Sequence, residues 1–170
     1  ERGLQGAPRV RVVVGAERHA TIDMSLRYLG IGAGTVEVVR ADGQGRMDAV
    51  HLREVLEAGE PTPTIICAQA GNVNTGAFDP FPAVCDLAAA HGAWVHVDGA
   101  FGLWAAVTDD LRSLVDGVDR ADSWAVDAHK WLNVPYDCGV VLCRHPDDHH
   151  AALAVEAAYL VQGGDGAPRD

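Results

Sequence analysis

The sequence predicts an α/β fold: a three-layer α/β/α sandwich with one mainly parallel sheet. Three observations carry that prediction. Short apolar runs rich in β-branched residues alternate with stretches of helical periodicity along almost the whole chain. Repeated strand–helix–strand units need crossover connections, which imply a mainly parallel sheet with helices on both faces. The 170 residues, 48% of them hydrophobic, also suffice for one domain with a sizeable core.

Each element has a local reason. Val10 to Val14 reads as a buried strand, and His19 to Leu29 as a helix with Ile22, Leu26 and Leu29 on one face. Thr35 to Val39 is a second strand. Asp48 caps a helix running to Ala58 with Leu52, Val55 and Leu56 inward, and Gly59, Pro61 and Pro63 stop it. Thr64 to Ala68 is a strand, Phe81 to His91 a helix, Ala93 to Val97 a strand, and Leu111 to Val115 helical. Ser123 to Val126 is a strand, and Gly139 to Cys143 another. That last strand is expected to be antiparallel, because only a short Pro-containing turn precedes it.

In such sheets ligands bind beyond the carboxyl ends of the strands. Two of these strands end in chemistry. Ser123-Trp124-Ala125-Val126-Asp127-Ala128-His129-Lys130-Trp131 leads into the only lysine of the chain, placed in an apolar setting by Val126, Trp131 and Leu132. Lysine is the side chain that forms a Schiff base with an aldehyde cofactor. Upstream, His96-Val97-Asp98-Gly99-Ala100-Phe101-Gly102 ends a strand in a carboxylate, and the spacing leaves room for one crossover of ~30 residues. Both side chains are expected at the same sheet edge. Together they point to pyridoxal 5'-phosphate, with Lys130 for the aldehyde and Asp98 for the ring nitrogen. Alone, Asp98 reads equally well as a helix N-cap.

His19 is placed to stack on a cofactor ring and meet a substrate carboxylate, or simply to cap its helix. Ala100 is small enough to let a ring approach the backbone. His129 and Asp127 flank the lysine, His129 suited to a phosphate and Asp127 repelled by one unless it bonds an amide or a neighbouring side chain. The polar loop Gly71 to Asp79 either lines this edge or is a surface turn. Asp147-Asp148-His149-His150 resembles a metal cluster only superficially, since adjacent helical residues point apart. Gly30-Ile31-Gly32-Ala33-Gly34 follows a helix and precedes a strand, the reverse of a dinucleotide fingerprint.

A net charge of −11 argues against a nucleic-acid surface. No apolar run approaches the roughly 20 residues of a membrane span, and Glu1 to Gln5 does not open a signal peptide. The four cysteines form no CxxC pair, which fits buried, reduced thiols in a cytoplasmic protein. A first residue other than Met fits an excised segment.

These motifs, in this order and spacing, resemble the large domain of the pyridoxal-phosphate-dependent group II amino-acid decarboxylases, relatives of the aromatic-amino-acid and glutamate decarboxylases. The resemblance rests on His19 and its helix, the Gly71 to Asp79 loop, His96-Val97-Asp98-Gly99-Ala100-Phe101, and Asp127-Ala128-His129-Lys130-Trp131 running into Asp137-Cys138. It implies the large domain of the fold type I transferases. Residues 1–161 would be its central part and 162–170 a Gly-rich mobile loop segment, with an upstream segment and a C-terminal small domain outside this chain.

The resemblance makes Lys130 the Schiff-base lysine, Asp98 the pyridinium partner and His19 the stacking imidazole. Ala100 packs beside the ring, and His129 supports the cofactor near its phosphate. Tyr159 falls where aromatic decarboxylases carry a mobile-loop proton donor. Asn72-Val73 stands where several relatives have consecutive threonines. The implied reaction is decarboxylation of an L-amino acid to an amine and CO₂ by a homodimer, the fragment alone being inactive. The rivals are an aminotransferase, lyase or aldehyde-forming reaction on the same cofactor, or a truncated binding module. Tyr159 favours simple decarboxylation, since a phenylalanine there favours aldehyde formation in relatives.

Overall fold

In the computed structural model, which describes residues 4–154, six strands form one sheet in the order β2-β1-β3-β4-β5-β6. The strands are β1 (Arg11–Gly15), β2 (Glu37–Val39), β3 (Thr64–Gln69), β4 (Trp94–Asp98), β5 (Ser123–Asp127) and β6 (Gly139–Cys143). All neighbours are parallel except β5 and β6, as the short connection requires. The helices are α1 (Ala20–Tyr28), α2 (Ala49–Ala58), α3 (Phe81–His91), α4 (Ala128–Trp131) and α5 (Pro146–Leu153). Between β4 and β5 the chain makes three 3₁₀ turns, Gly102–Val107, Arg112–Val115 and Val118–Arg120. The sequence reading anticipated only the second, as a helix.

Caps and breakers set the boundaries. The Asp48 side chain accepts from the Val50 and His51 amides at the start of α2, satisfying two of the orphan donors of its first turn. At the end of α3, Gly92 takes φ 62°, a left-handed conformation that glycine adopts without steric cost.

The two sheet faces are covered unequally. Val13, Ile66, Ala68, Val95 and Val97 point to one side and meet Leu52 and Leu56 of α2 and Phe81 and Val84 of α3. The β4–β5 turns close the same side through Ala105, Val115 and Val118. Alternate residues point the other way. There Val12, Val14 and Cys67 pack with Ile22 and Leu26 of α1. Helices on both faces were expected, but among the described residues only α1 forms this second core, over β1 and β3. The same-facing residues of β4 and β5 (His96 and Asp98, Ala125 and Asp127) line a cavity instead. The reason is directional. The chain runs from β1 to β2, then crosses back past β1 to β3, and right-handed crossovers in opposite directions fall on opposite faces. The same reversal creates a switch point between β1 and β3, where open parallel sheets bind ligands.

Two buried polar groups hold the loop that borders this switch point. Asn72 is 1% exposed, and its amide nitrogen donates to the Glu17 carbonyl (2.9 Å) and Gln69 Oε1 (3.1 Å). Its oxygen accepts from the Asn74 and Thr75 amides, so all of its main hydrogen-bonding capacity is used. The Asp79 carboxylate accepts from the Met47 and Gln69 amides, both at 2.7 Å. Burial nevertheless pushes it up to about 6, outweighing those two donors. A third constraint is steric: a Cβ on Gly102 would collide with the Ala70 carbonyl, and Gly71, at φ 87°, lies against Phe101.

Two outcomes follow for the protein that contains this chain. Asn72→Ala strands two backbone amides and a carbonyl, and is expected to lower unfolding free energy by about 1–3 kcal/mol in a denaturant titration. Asp79 titrates near 6 when folded and near 3.8 when unfolded, so the folded state holds its proton more tightly. The stability this contributes is complete below pH 4 and is lost as pH rises through 6, by about 3 kcal/mol. In Asp79→Asn that fall between pH 4 and 6 should disappear; an unchanged slope would assign it to another group.

Candidate active site

The cavity has a volume of about 690 Å³ and opens at the carboxyl ends of β3, β4 and β5, on the face that α1 leaves free. Its walls include His19 and Ile22 from α1, Gln69 and Val73 beside the Asn72 loop, and Asp98, Ala100 and Lys130 from the two predicted motifs. Asp98 and Lys130 therefore do meet across one space, as their positions behind adjacent strands required.

Asp98 ends β4 opposite Ala125 of β5. It caps no helix: Oδ1 accepts from the Ala100 amide two residues on (3.2 Å), which fixes the carboxylate at the strand end. The first 3₁₀ turn begins later, at Gly102, with Phe101 before it and no side-chain cap. The ladder continues past the strands, with the Gly99 amide on the Ala125 carbonyl (2.8 Å) and the Asp127 amide on the Ala100 carbonyl (2.9 Å). Ala100 is thus clamped beside the cavity with only a methyl to fill it.

Lys130 lies on the single turn of α4. Its Nζ is 2.7 Å from Asp127 Oδ2, one helical turn back, and its side chain is 43% exposed. The apolar burial expected from its neighbours is not found, because Trp131 and Leu132 are themselves 51% and 53% exposed. Asp127 takes the neighbouring-side-chain option: it holds the lysine ammonium. His129 stands beside this pair, its Nε2 3.8 Å from Asp127 Oδ2. Its Nδ1 accepts from the Cys138 amide (3.0 Å) and its ring lies 4.3 Å from that of Tyr136, outside the cavity lining.

His19 does cap α1, its Nδ1 accepting from the Thr21 amide (3.3 Å) with the Thr21 hydroxyl at 2.8 Å. This leaves Nε2 as the protonated nitrogen of the neutral ring. The capping imidazole also lines the cavity, so the cap does not remove it from the site. The Asn72 loop likewise has two sides, with Asn72 buried beneath and Val73 facing the cavity. Tyr159 and the segment 162–170 lie outside the described residues.

Sequence reading passed over His96 and Gln69. Strand alternation contained the signal: both share a face with Asp98 across the β3–β4 register, where Gln69 pairs with Asp98. The four cysteines are free, but only Cys85 is buried and the other three are half-buried. The acidic and histidine run 147–150 lies on α5, and no group of three metal-ligating side chains comes together among the described residues. No described helix is long and apolar enough to cross a membrane.

A family model described as the pyridoxal-dependent decarboxylase conserved domain matches residues 5–168. Among similar proteins, cysteine sulfinic acid decarboxylase of Mus musculus is 37% identical over 95% of this chain and 34% of its own length. L-2,4-diaminobutyrate decarboxylase of Rhizobium meliloti is 40% identical over 88% of this chain and 30% of its own. The crystal structure of the Oryza sativa protein TDC with PLP and tryptamine superposes with a TM-score of 0.83 at 31% identity, covering 93% of this chain and 33% of that one. The chain thus spans about a third of the length of the relatives it matches. A match running almost end to end, on a sheet that delivers an aspartate and the single lysine to one cavity, shows that the chain belongs to the pyridoxal-dependent decarboxylase family.

Proposed function

We propose that this chain forms the central part of a pyridoxal-phosphate-dependent decarboxylase that converts an L-amino acid to an amine and CO₂. The observation that carries the reading is the meeting of Asp98 and Lys130 at the ends of adjacent parallel strands, across one open cavity. The donor set fits the cofactor: one amine, one carboxylate, an imidazole on the wall and a methyl-sized floor at Ala100. When bound, pyridoxal phosphate supplies an electron-poor ring that takes up the electron pair left as the Cα–carboxylate bond breaks.

The residues divide the remaining work. Lys130 is the amine that holds the cofactor aldehyde, and Asp127, 2.7 Å away, presents it to the cavity. With the cofactor bound, the Asp98 carboxylate would accept a charge-assisted hydrogen bond from the protonated ring nitrogen, which would keep that nitrogen cationic. His19 flanks the ring, and its Nε2–H is a donor for the substrate carboxylate, orienting the bond to be broken. Tyr159 or a water returns a proton to Cα. His129, anchored to the Cys138 amide, supports the cofactor near its phosphate. The relatives described above are named as decarboxylases, which favours loss of CO₂ over transamination or aldehyde formation. The half-exposed Trp131 and Leu132 beside the lysine support closure of the site by a second subunit of a homodimer.

The test uses the full-length protein with pyridoxal phosphate and a panel of L-amino acids, following CO₂, ammonia and aldehyde together. Stoichiometric CO₂ without ammonia is expected from one substrate class; ammonia and aldehyde, or no CO₂, would overturn the reaction. Lys130→Ala should reduce CO₂ release by roughly 10²–10⁴-fold and make the cofactor removable by dialysis. Asp98→Asn removes a charge-assisted bond of about 1.5–3 kcal/mol, so turnover should fall by roughly 10–150-fold.

A further inference from the structure

His96 is the cavity residue with the most elaborate support and no role in the reading above. It shares a face of β4 with Trp94 and Asp98, while Val95 and Val97 point into the core. Its Nδ1 lies 2.9 Å from Ser123 Oγ on β5, directly across the ladder. The same oxygen receives the Trp94 indole N–H at 2.9 Å. Indole is only a donor, so Ser123 must accept from Trp94. With His96 Nδ1 as the acceptor, the Ser123 hydroxyl proton is used as well. The imidazole is then neutral and carries its own proton on Nε2.

We propose that His96 is a positioning residue for Asp98: the Trp94–Ser123–His96 relay sets a neutral imidazole with its Nε2–H toward the cavity, where it supports the negative charge of the Asp98 carboxylate and so keeps the ring nitrogen of bound pyridoxal phosphate protonated. The titratable neighbours agree with this assignment. Asp98 stands two residues along the same strand face, and Cys67 pairs with His96 on β3. Burial, with the Asp98 charge, pushes the Cys67 thiol up to about 12, so it stays neutral. Burial lowers the affinity of His96 for a second proton, and the Asp98 charge opposes that only in part. Across the cavity, Asp127 is occupied by Lys130, and His19 by the cap of α1. Asp98 is thus the anion left for the Nε2–H to support, through one bridging water.

The proposal rests on the reading of the cavity as a pyridoxal phosphate site, and the test separates the two. Full-length protein is titrated with pyridoxal phosphate carrying ¹⁵N at the ring nitrogen, giving the cofactor's dissociation constant and its ring protonation across pH. In His96→Leu and Ser123→Ala the deprotonated fraction should rise at a given pH, and the dissociation constant should increase roughly 3–10-fold, the loss of one net hydrogen bond. His96→Gln keeps a neutral donor and should return both quantities to within about twofold of the wild type. If His96→Leu does not fold, Ser123→Ala, which leaves the imidazole in place, carries the same expectation. Cofactor-free protein with ¹⁵N-labelled histidine should show His96 protonated at Nε2. An Nδ1-protonated ring, or unaltered ring protonation in the variants, overturns the proposal while the wild type still binds cofactor. Failure of the wild type to bind overturns the functional reading and this proposal with it.

Discussion

The parallel register of β4 and β5 is the constraint on which the rest of the site depends. Setting Asp98 opposite Ala125 leaves two residues of β5 to reach Asp127, and the backbone keeps pairing through Gly99 and Ala100 as it leaves the sheet. Strand order ends there and a single helical turn begins, so Lys130 arrives one turn above the carboxylate. A slip of one residue would send Asp98 into the core and Val97 into the cavity. Val97 is wholly buried against the α2–α3 side, so the hydrophobic pattern that stabilises the sheet also holds the catalytic geometry. The site is precise because the core forbids its alternatives.

Much of this was legible in the sequence because it follows from short-range patterns. The strand ending at Asp98 and the helix from Phe81 to His91 are set by alternation, periodicity and breakers within a dozen residues. The antiparallel β6 followed from a connection too short for a crossover. Topology was less accessible. Whether a helix falls on one face or the other depends on the direction of each crossover, which depends on strand order. The open face over β4 and β5 therefore had no local signature, although it is where the cavity forms.

Side-chain assignments divided on the same principle. Asp98 and Lys130 each stand in a motif whose backbone direction decides their fate. His129, next to the lysine in sequence, stays beside Asp127 at 3.8 Å while its Nδ1 is taken by the Cys138 amide, a contact across eight intervening residues that no local pattern announces. The apolar setting of Lys130 rests on Val126, Trp131 and Leu132, of which only Val126, on β5, is buried; Trp131 and Leu132 are exposed at the end of a four-residue helix. Asn72 stands within a polar loop, where nothing short of tertiary structure distinguishes a buried hub from a surface residue. Its partners, Glu17 and Gln69, are contributed by separate strand ends.

The charge inventory of the cavity indicates how the site is shared across a longer protein. Among the described residues that line it, Lys130 is the only lysine or arginine, against the two carboxylates of Asp98 and Asp127. In the proposed reading Lys130 takes the aldehyde, and Asp127 pairs with it at 2.7 Å. A phosphate dianion needs several oriented donors or cations within hydrogen-bonding reach. Arg18, next to the cavity residue His19 in sequence, is engaged in a bidentate pair with Asp23 at 3.0 and 3.1 Å. The lining residues therefore offer groups suited to a ring and an aldehyde, while bringing no uncommitted positive charge to a phosphate. That imbalance goes with a chain that covers about a third of its relatives' length.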